Sequence, residues 1–197
     1  MSTTQIVTLV VLAVIGFWML AAYNRLVRAR NEIGNAFAQI DVQLKRRYDL
    51  IPNLVDVARK YVQHERDTLE AVIAARNGAR TARDAAAAKP ADPGRIAALA
   101  GAEGTLAGLM NKLAVVVEAY PALKADATLR DLSEELNHTE NRIAFARQAF
   151  NDAVLHYNNS REVFPGSLVA GWFNFQPAKM LDLPDAAKRE APKVSFS

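Results

Sequence analysis

From Ile6 to Ala22 the chain reads IVTLVVLAVIGFWMLAA, and no charged side chain appears before Arg25. Flanked by Tyr23 and Asn24, this run is just long enough to cross the roughly 30 Å hydrocarbon core of a bilayer as a helix. A single segment can cross only in that form, because each backbone N–H must find its carbonyl within the segment. Beyond it the apolar pattern becomes periodic: Leu26, Arg30, Ile33, Phe37, Ile40 and Leu44 are spaced alternately four and three apart. Only Gly34 interrupts, at a cost of about 1 kcal/mol. The span and the first body helix are therefore expected to form one rod, about 60 Å long from Ile6 to Arg47.

Pro52 is the next feature. It lacks a backbone donor and disfavours helix at the residue before it, so a break or kink is expected there, with Asp49 near a new N-terminus. A second run follows through Leu54, Val57, Ala58, Tyr61, Val62, Leu69, Val72 and Ile73, fading by about Arg80. Residues 82–94 end in Lys89-Pro90-Ala91-Asp92-Pro93-Gly94 and read as a turn region. A third helix is expected from about Arg95 to Ala119 on Ile96, Leu99, Leu106, Leu109, Leu113, Val116 and Val117. Within it Gly101, Gly104 and Gly108 either admit a close neighbour or mark local weakness. Tyr120-Pro121 closes it.

The fourth run is the most regular. Leu129, Leu132, Leu136, Thr139, Ile143, Ala146, Phe150, Ala153 and Tyr157 alternate steps of three and four, the repeat of left-handed helix packing. Asp126 or Thr128 is placed to cap its start. The expected fold is all-α: a single N-terminal transmembrane helix (1–23), then an antiparallel up-and-down helical bundle (24–181). A disordered tail (182–197) would follow.

Composition agrees with helix: 51% of residues are hydrophobic, many of them alanine, with 9 Gly and 8 Pro. The absence of cysteine excludes disulfides, a thiolate zinc site and a cysteine nucleophile. Net charge is only +3, but between Asn24 and Tyr48 six basic side chains face Glu32 and Asp41 alone. By the positive-inside rule this puts the N-terminus outside and the body in the cytoplasm, on the cell's inner membrane. Arg25 and Arg28 can meet anionic lipid, at about 1 kcal/mol each. Basic residues are not interleaved with aromatics, which argues against nucleic acid. A cleaved signal peptide would want a basic start and a better cleavage site than Leu20-Ala21-Ala22 offers.

Chemical motifs are thin. His64-Glu65 opens a zinc-protease pattern, but Thr68 stands where its second histidine is needed. Glu135-Leu136-Asn137-His138 is one copy of a spacing that di-iron bundles use twice. No nucleophile, base and oxyanion donor assemble in the pattern. No catalytic residue, metal site or cofactor is expected. Polar residues within the helical runs are a different matter. Arg30, Asn31, Asn35 and Asp41, with Glu140, Asn141, Arg142, Arg147 and Asn151, are expected to pair between helices, against the alternative of exposed pairs such as Asn31–Asn35. The segment from Phe164, with Leu168, Trp172, Phe173 and Phe175, has three readings: it closes the bundle end, lies in the membrane interface, or contacts another chain.

Several blocks occur together in order. They are Tyr23-Asn24-x-Leu26-Val27-x-x-Arg30-Asn31, the run Asn35-Ala36-Phe37 through Pro52-Asn53-Leu54-Val55, Tyr120-Pro121-x-Leu123-Lys124-Ala125, Thr139-Glu140-Asn141-Arg142-Ile143-x-x-Ala146-Arg147, Phe150-Asn151, Tyr157-Asn158 and Phe164-Pro165. In these the chain resembles the LemA family from about Ile6 to Leu181, residues 82–94 excepted. At Leu129 it departs from the aromatic often seen there. The resemblance implies a helical bundle on one bacterial membrane anchor, with no activity, cofactor or catalytic residue, and membrane-associated partners. The expected function is a non-enzymatic scaffold or interaction module at the cytoplasmic membrane face. Membrane lipid, unidentified proteins and a second copy of the chain are its candidate partners. Two other readings stay open on the sequence: a metal- or ligand-dependent enzyme in the bundle core, and a secreted or periplasmic binding domain released by signal cleavage.

Overall fold

The computed structural model describes residues 2–62 and 64–183, and there holds helices and connecting segments with no strand. Helix α1 runs unbroken from Thr3 to Arg59, 57 residues, or about 85 Å at 1.5 Å per residue. Ser2 and Gln5 close its N-terminus with a capping box. Along the first part the large apolar side chains stand open, from 41% exposed at Trp18 to 76% at Phe17. α1 is the one helix among the described residues long and apolar enough to cross a membrane. From Leu26 onward it buries one face, through Ala29, Ile33, Phe37, Ile40, Leu44, Tyr48, Ile51, Val55 and Ala58. Arg30 shares the sequence spacing but is exposed, and Ala29 takes the buried place.

The break expected at Pro52 does not occur, and no helix begins near Asp49. A proline at 52 leaves the Tyr48 carbonyl, four residues back, without its helical partner. Arg76 of α2 (Arg66–Ala88) supplies one, its Nε donating to Tyr48 O at 2.8 Å. The chain turns instead at residues 60–61 and 64–65, which divide the second apolar run. Tyr61 is exposed there and donates to Asp126 at 2.8 Å.

Helix α2 also outlasts its expected fade near Arg80. The alanines up to Ala88 favour helix, and the turn shrinks to residues 89–92. Helix α3 (Pro93–Ala119) starts on Asp92, whose side chain accepts from the N–H groups of Gly94 and Arg95, with Pro93 in the first turn. Gly101 and Gly108 admit no close neighbour: a Cβ at either would meet open space. After the single turn α4 (Pro121–Lys124), helix α5 (Ala127–Glu162) begins on the side chain of Asp126, which accepts from Leu129 N at 3.0 Å. Helix α6 (Gly166–Trp172) follows a tight corner where a Cβ on Gly166 would collide with the Ser160 carbonyl.

The bundle is antiparallel and up-and-down, with α1 central. α5 packs on one side of it and α2 on another, and α3 packs on α2. The α2–α3 turn approaches α1 at Gly34, where Pro90 lies 3.8 Å from the Cβ position. Nearer the span, α1 is covered by α5 and by residues 174–183, which return along α5. That return segment buries Phe175, Ala178 and Leu181.

Candidate functional site

Two constellations stand out, a charged core between the helices and an aromatic collar where α1 leaves its exposed span. In the core, Arg47 is 6% exposed and Glu103 2%. Arg47 donates to Glu103 through Nη2 and to Glu140 through Nη1, the latter at 2.7 Å. Tyr48 donates its hydroxyl to the other oxygen of Glu103. Burial pushes that hydroxyl up to about 12. One guanidinium thus ties α1 to both α3 and α5. On the same helix Asp41 accepts from Arg83 of α2 at 3.0 Å and from Lys45 at 2.6 Å. Burial opposes the Asp41 charge, but the bonds from Lys45 and Arg83 outweigh it and hold the carboxyl below its ordinary value.

Of the polar residues expected to pair between helices, Asp41 and Glu140 do so. Arg147 and Asn151 bind the return segment: Arg147 Nη1 donates to Leu183 O at 2.8 Å, and Asn151 pairs with both the N–H (2.8 Å) and the carbonyl (3.4 Å) of Leu181. Asn158 does the same for Ala178, at 3.0 and 2.9 Å. Arg161 reaches Phe175 O and Tyr157 reaches Gln176 O. Asp182 and Leu183 are thus part of a bound segment, while 184–197 of the expected tail lie outside the described residues. Asn31, Asn35, Asn141 and Arg142 are exposed, and none of them joins the charged core.

Glu135 pairs with Arg46 of α1, and His138 lies 3.6 Å from Glu134. No group of three His, Asp or Glu side chains is placed to hold a metal among the described residues.

The collar is built from α1 and the chain around α6. The Trp18 and Phe164 rings are 5.1 Å apart, Tyr23 and Phe173 4.9 Å, Tyr23 and Phe175 5.7 Å. Arg30 lies over the Phe175 ring at 5.4 Å. Phe175 is therefore a buried member of the bundle end, not a surface contact. Leu168, Trp172 and Phe173 stay 50%, 69% and 58% exposed. Arg25 and Arg28 are exposed on α1, within five residues of Tyr23 along the chain.

The sequence profile of the LemA family matches residues 36–196. The chain belongs to the LemA family. It is similar to the magnetosome protein MamQ 2 of Paramagnetospirillum magneticum, 26% identical over 186 residues, 86% of this chain and 68% of that protein. It is also similar to magnetosome protein MamQ of Magnetospirillum gryphiswaldense, 25% identical over 167 residues, 77% of this chain and 61% of that protein.

In this LemA chain the core acid Glu103 went unnoticed in the sequence, although a signal was there. It stands in step with Ile96, Leu99, Leu106 and Leu113, a lone charge on the buried stripe of α3. Arg83 likewise keeps step with Leu69, Val72, Ala79 and Ala86 on α2. A charge in register with a core stripe is expensive to bury alone, so each announces a partner on a facing helix.

Proposed function

We propose that this LemA-family protein is a non-enzymatic, membrane-tethered scaffold whose bundle displays contact surface to partner proteins at the inner membrane. α1 crosses the bilayer once, with the N-terminus outside and the body in the cytoplasm. The observation that carries the reading is the continuity of α1: one helix is both the candidate span and the central helix of the bundle. Such a helix holds the body at a set height and orientation, which suits a platform. The charges between the helices support the same reading, since Arg47, Glu103, Glu140, Arg83 and Asp41 are engaged in joining helices.

The chain has no cysteine, so single introduced thiols report topology cleanly. In intact cells a membrane-impermeant maleimide should label T4C and leave N77C unlabelled until lysis; the reverse pattern overturns the orientation. Crosslinking in cells, followed by mass measurement of the extracted species, tests the scaffold role. A strictly monomeric product without neighbours would remove it.

A further inference from the structure

Exposed apolar side chains outside the span are densest around α6, while others such as Val42, Val115, Phe145 and Leu155 stand apart on the longer helices. Val163, Phe164, Leu168, Trp172 and Phe173 are each 50–69% exposed, and they fall within eleven residues. From Val163 to Ala178 there is no charged residue. Leu168 and Trp172 are one turn apart and share the open face of α6, while Val169 and Ala170 are buried on its other side. A helix apolar on both faces is not built for water.

Its height is fixed by α1. Phe164 packs on Trp18, which precedes Arg25, the first charge, by seven residues, about 10 Å along the axis toward the span. Phe173 packs on Tyr23. Whatever level of the bilayer Trp18 and Tyr23 occupy, Phe164 and Phe173 occupy it too. Just below stand the exposed Arg25 and Arg28, at the level where anionic headgroups would lie.

We propose that α6 with Phe164 and Phe173 is a second, interfacial membrane contact, its Leu168–Trp172 face sunk among lipid headgroups and upper acyl chains beside α1. This deepens the proposed function and rests on α1 crossing the membrane. Two contacts, one spanning and one lying flat, would stop the bundle from swinging about α1. A protein partner fits the site less well, because at the depth of Trp18 the neighbours of a single-span protein are lipids.

The chain's two tryptophans, Trp18 and Trp172, permit a direct test on full-length protein in phosphatidylcholine–phosphatidylglycerol vesicles. W18F leaves Trp172 as the sole emitter, and W172F leaves Trp18 as the reference for the span. An interfacial helix sits about 5–10 Å into the headgroup–acyl boundary, so lipids brominated near the carbonyl end should cut Trp172 emission about twofold, and lipids brominated at the chain end less. Aqueous acrylamide should quench it weakly. If Trp18 is quenched by brominated lipid and Trp172 is not, the α6 proposal fails and the span stands. That holds whether acrylamide reaches Trp172, leaving it in water, or does not, placing it under protein. If neither tryptophan responds to brominated lipid, the span itself is lost and the proposal with it.

Discussion

Pro52 and Arg76 form a unit that neither residue announces alone. The proline removes the donor for Tyr48 O, and the guanidinium from the next helix replaces it. Arg76→Ala should orphan the carbonyl of buried Tyr48 and cost about 1–3 kcal/mol in thermal melts followed by circular dichroism. In a Pro52→Ala background the helix regains its own donor, so Arg76→Ala should cost clearly less; equal costs would mean that Arg76 acts some other way. Tyr48 offers a pH signature. Its phenol ordinarily ionises near 10.0 and in the fold at about 12. The folded state keeps that proton longer, so its contribution is whole below pH 10 and lost as pH rises from 10 to 12. Two units correspond to about 3 kcal/mol. Melting temperature should fall across that window in the wild-type chain more steeply than in Tyr48→Phe, which cannot ionise there. Spacing reveals that a charge sits on a buried stripe, but not which charge answers it, because Arg47 and Glu103 meet only once α1 and α3 are packed.

At the scale of elements, the helices were legible where burial is periodic, and the regular seam of α5 is seen in the buried Leu129, Leu136, Thr139, Ile143, Phe150 and Tyr157. What periodicity cannot express is a segment held by side chains rather than by its own hydrogen bonds. Residues 174–183 belong to no helix, yet Asn151 and Asn158 bind them as a peptide group would, each offering a donor and an acceptor. Asn151 was visible as a candidate for pairing and Asn158 was not; the partner of neither was, since the return segment has no pattern of its own. Asn158→Ala should delete two bonds at once, a loss of about 1–3 kcal/mol confined to the segment. Hydrogen exchange should then speed at Ala178 while α5 amides keep their protection. Asn158→Asp, which keeps the acceptor and loses the donor, should fall between. Exchange that rises equally along α5 would show that the segment is part of the bundle's cooperative core.

For the whole molecule, the consequence of an unbroken α1 is a fixed distance between the far end of the span and the bundle. The α2–α3 turn meets α1 at Gly34, thirty residues beyond Thr4, which is about 45 Å of helix. Spin labels on T4C and K89C, the latter in that turn, should give a narrow distance distribution centred near 45 Å plus the label arms. Gly34 faces Pro90 without crowding it, so the discriminating substitution is one that harms the helix and not the contact. Gly34→Pro removes the N–H bonded to the Arg30 carbonyl and should kink the rod, at about 3 kcal/mol, broadening or shifting that distribution. A pair of labels on α2 and α3, N77C and T105C, should keep its distance in the same variant, since neither helix contains the kink. A broad distribution in the parent chain would mean that the rod hinges between lipid and body. The bundle would then hang from the membrane on a flexible joint, and a platform of set height would no longer follow from the helix that joins them.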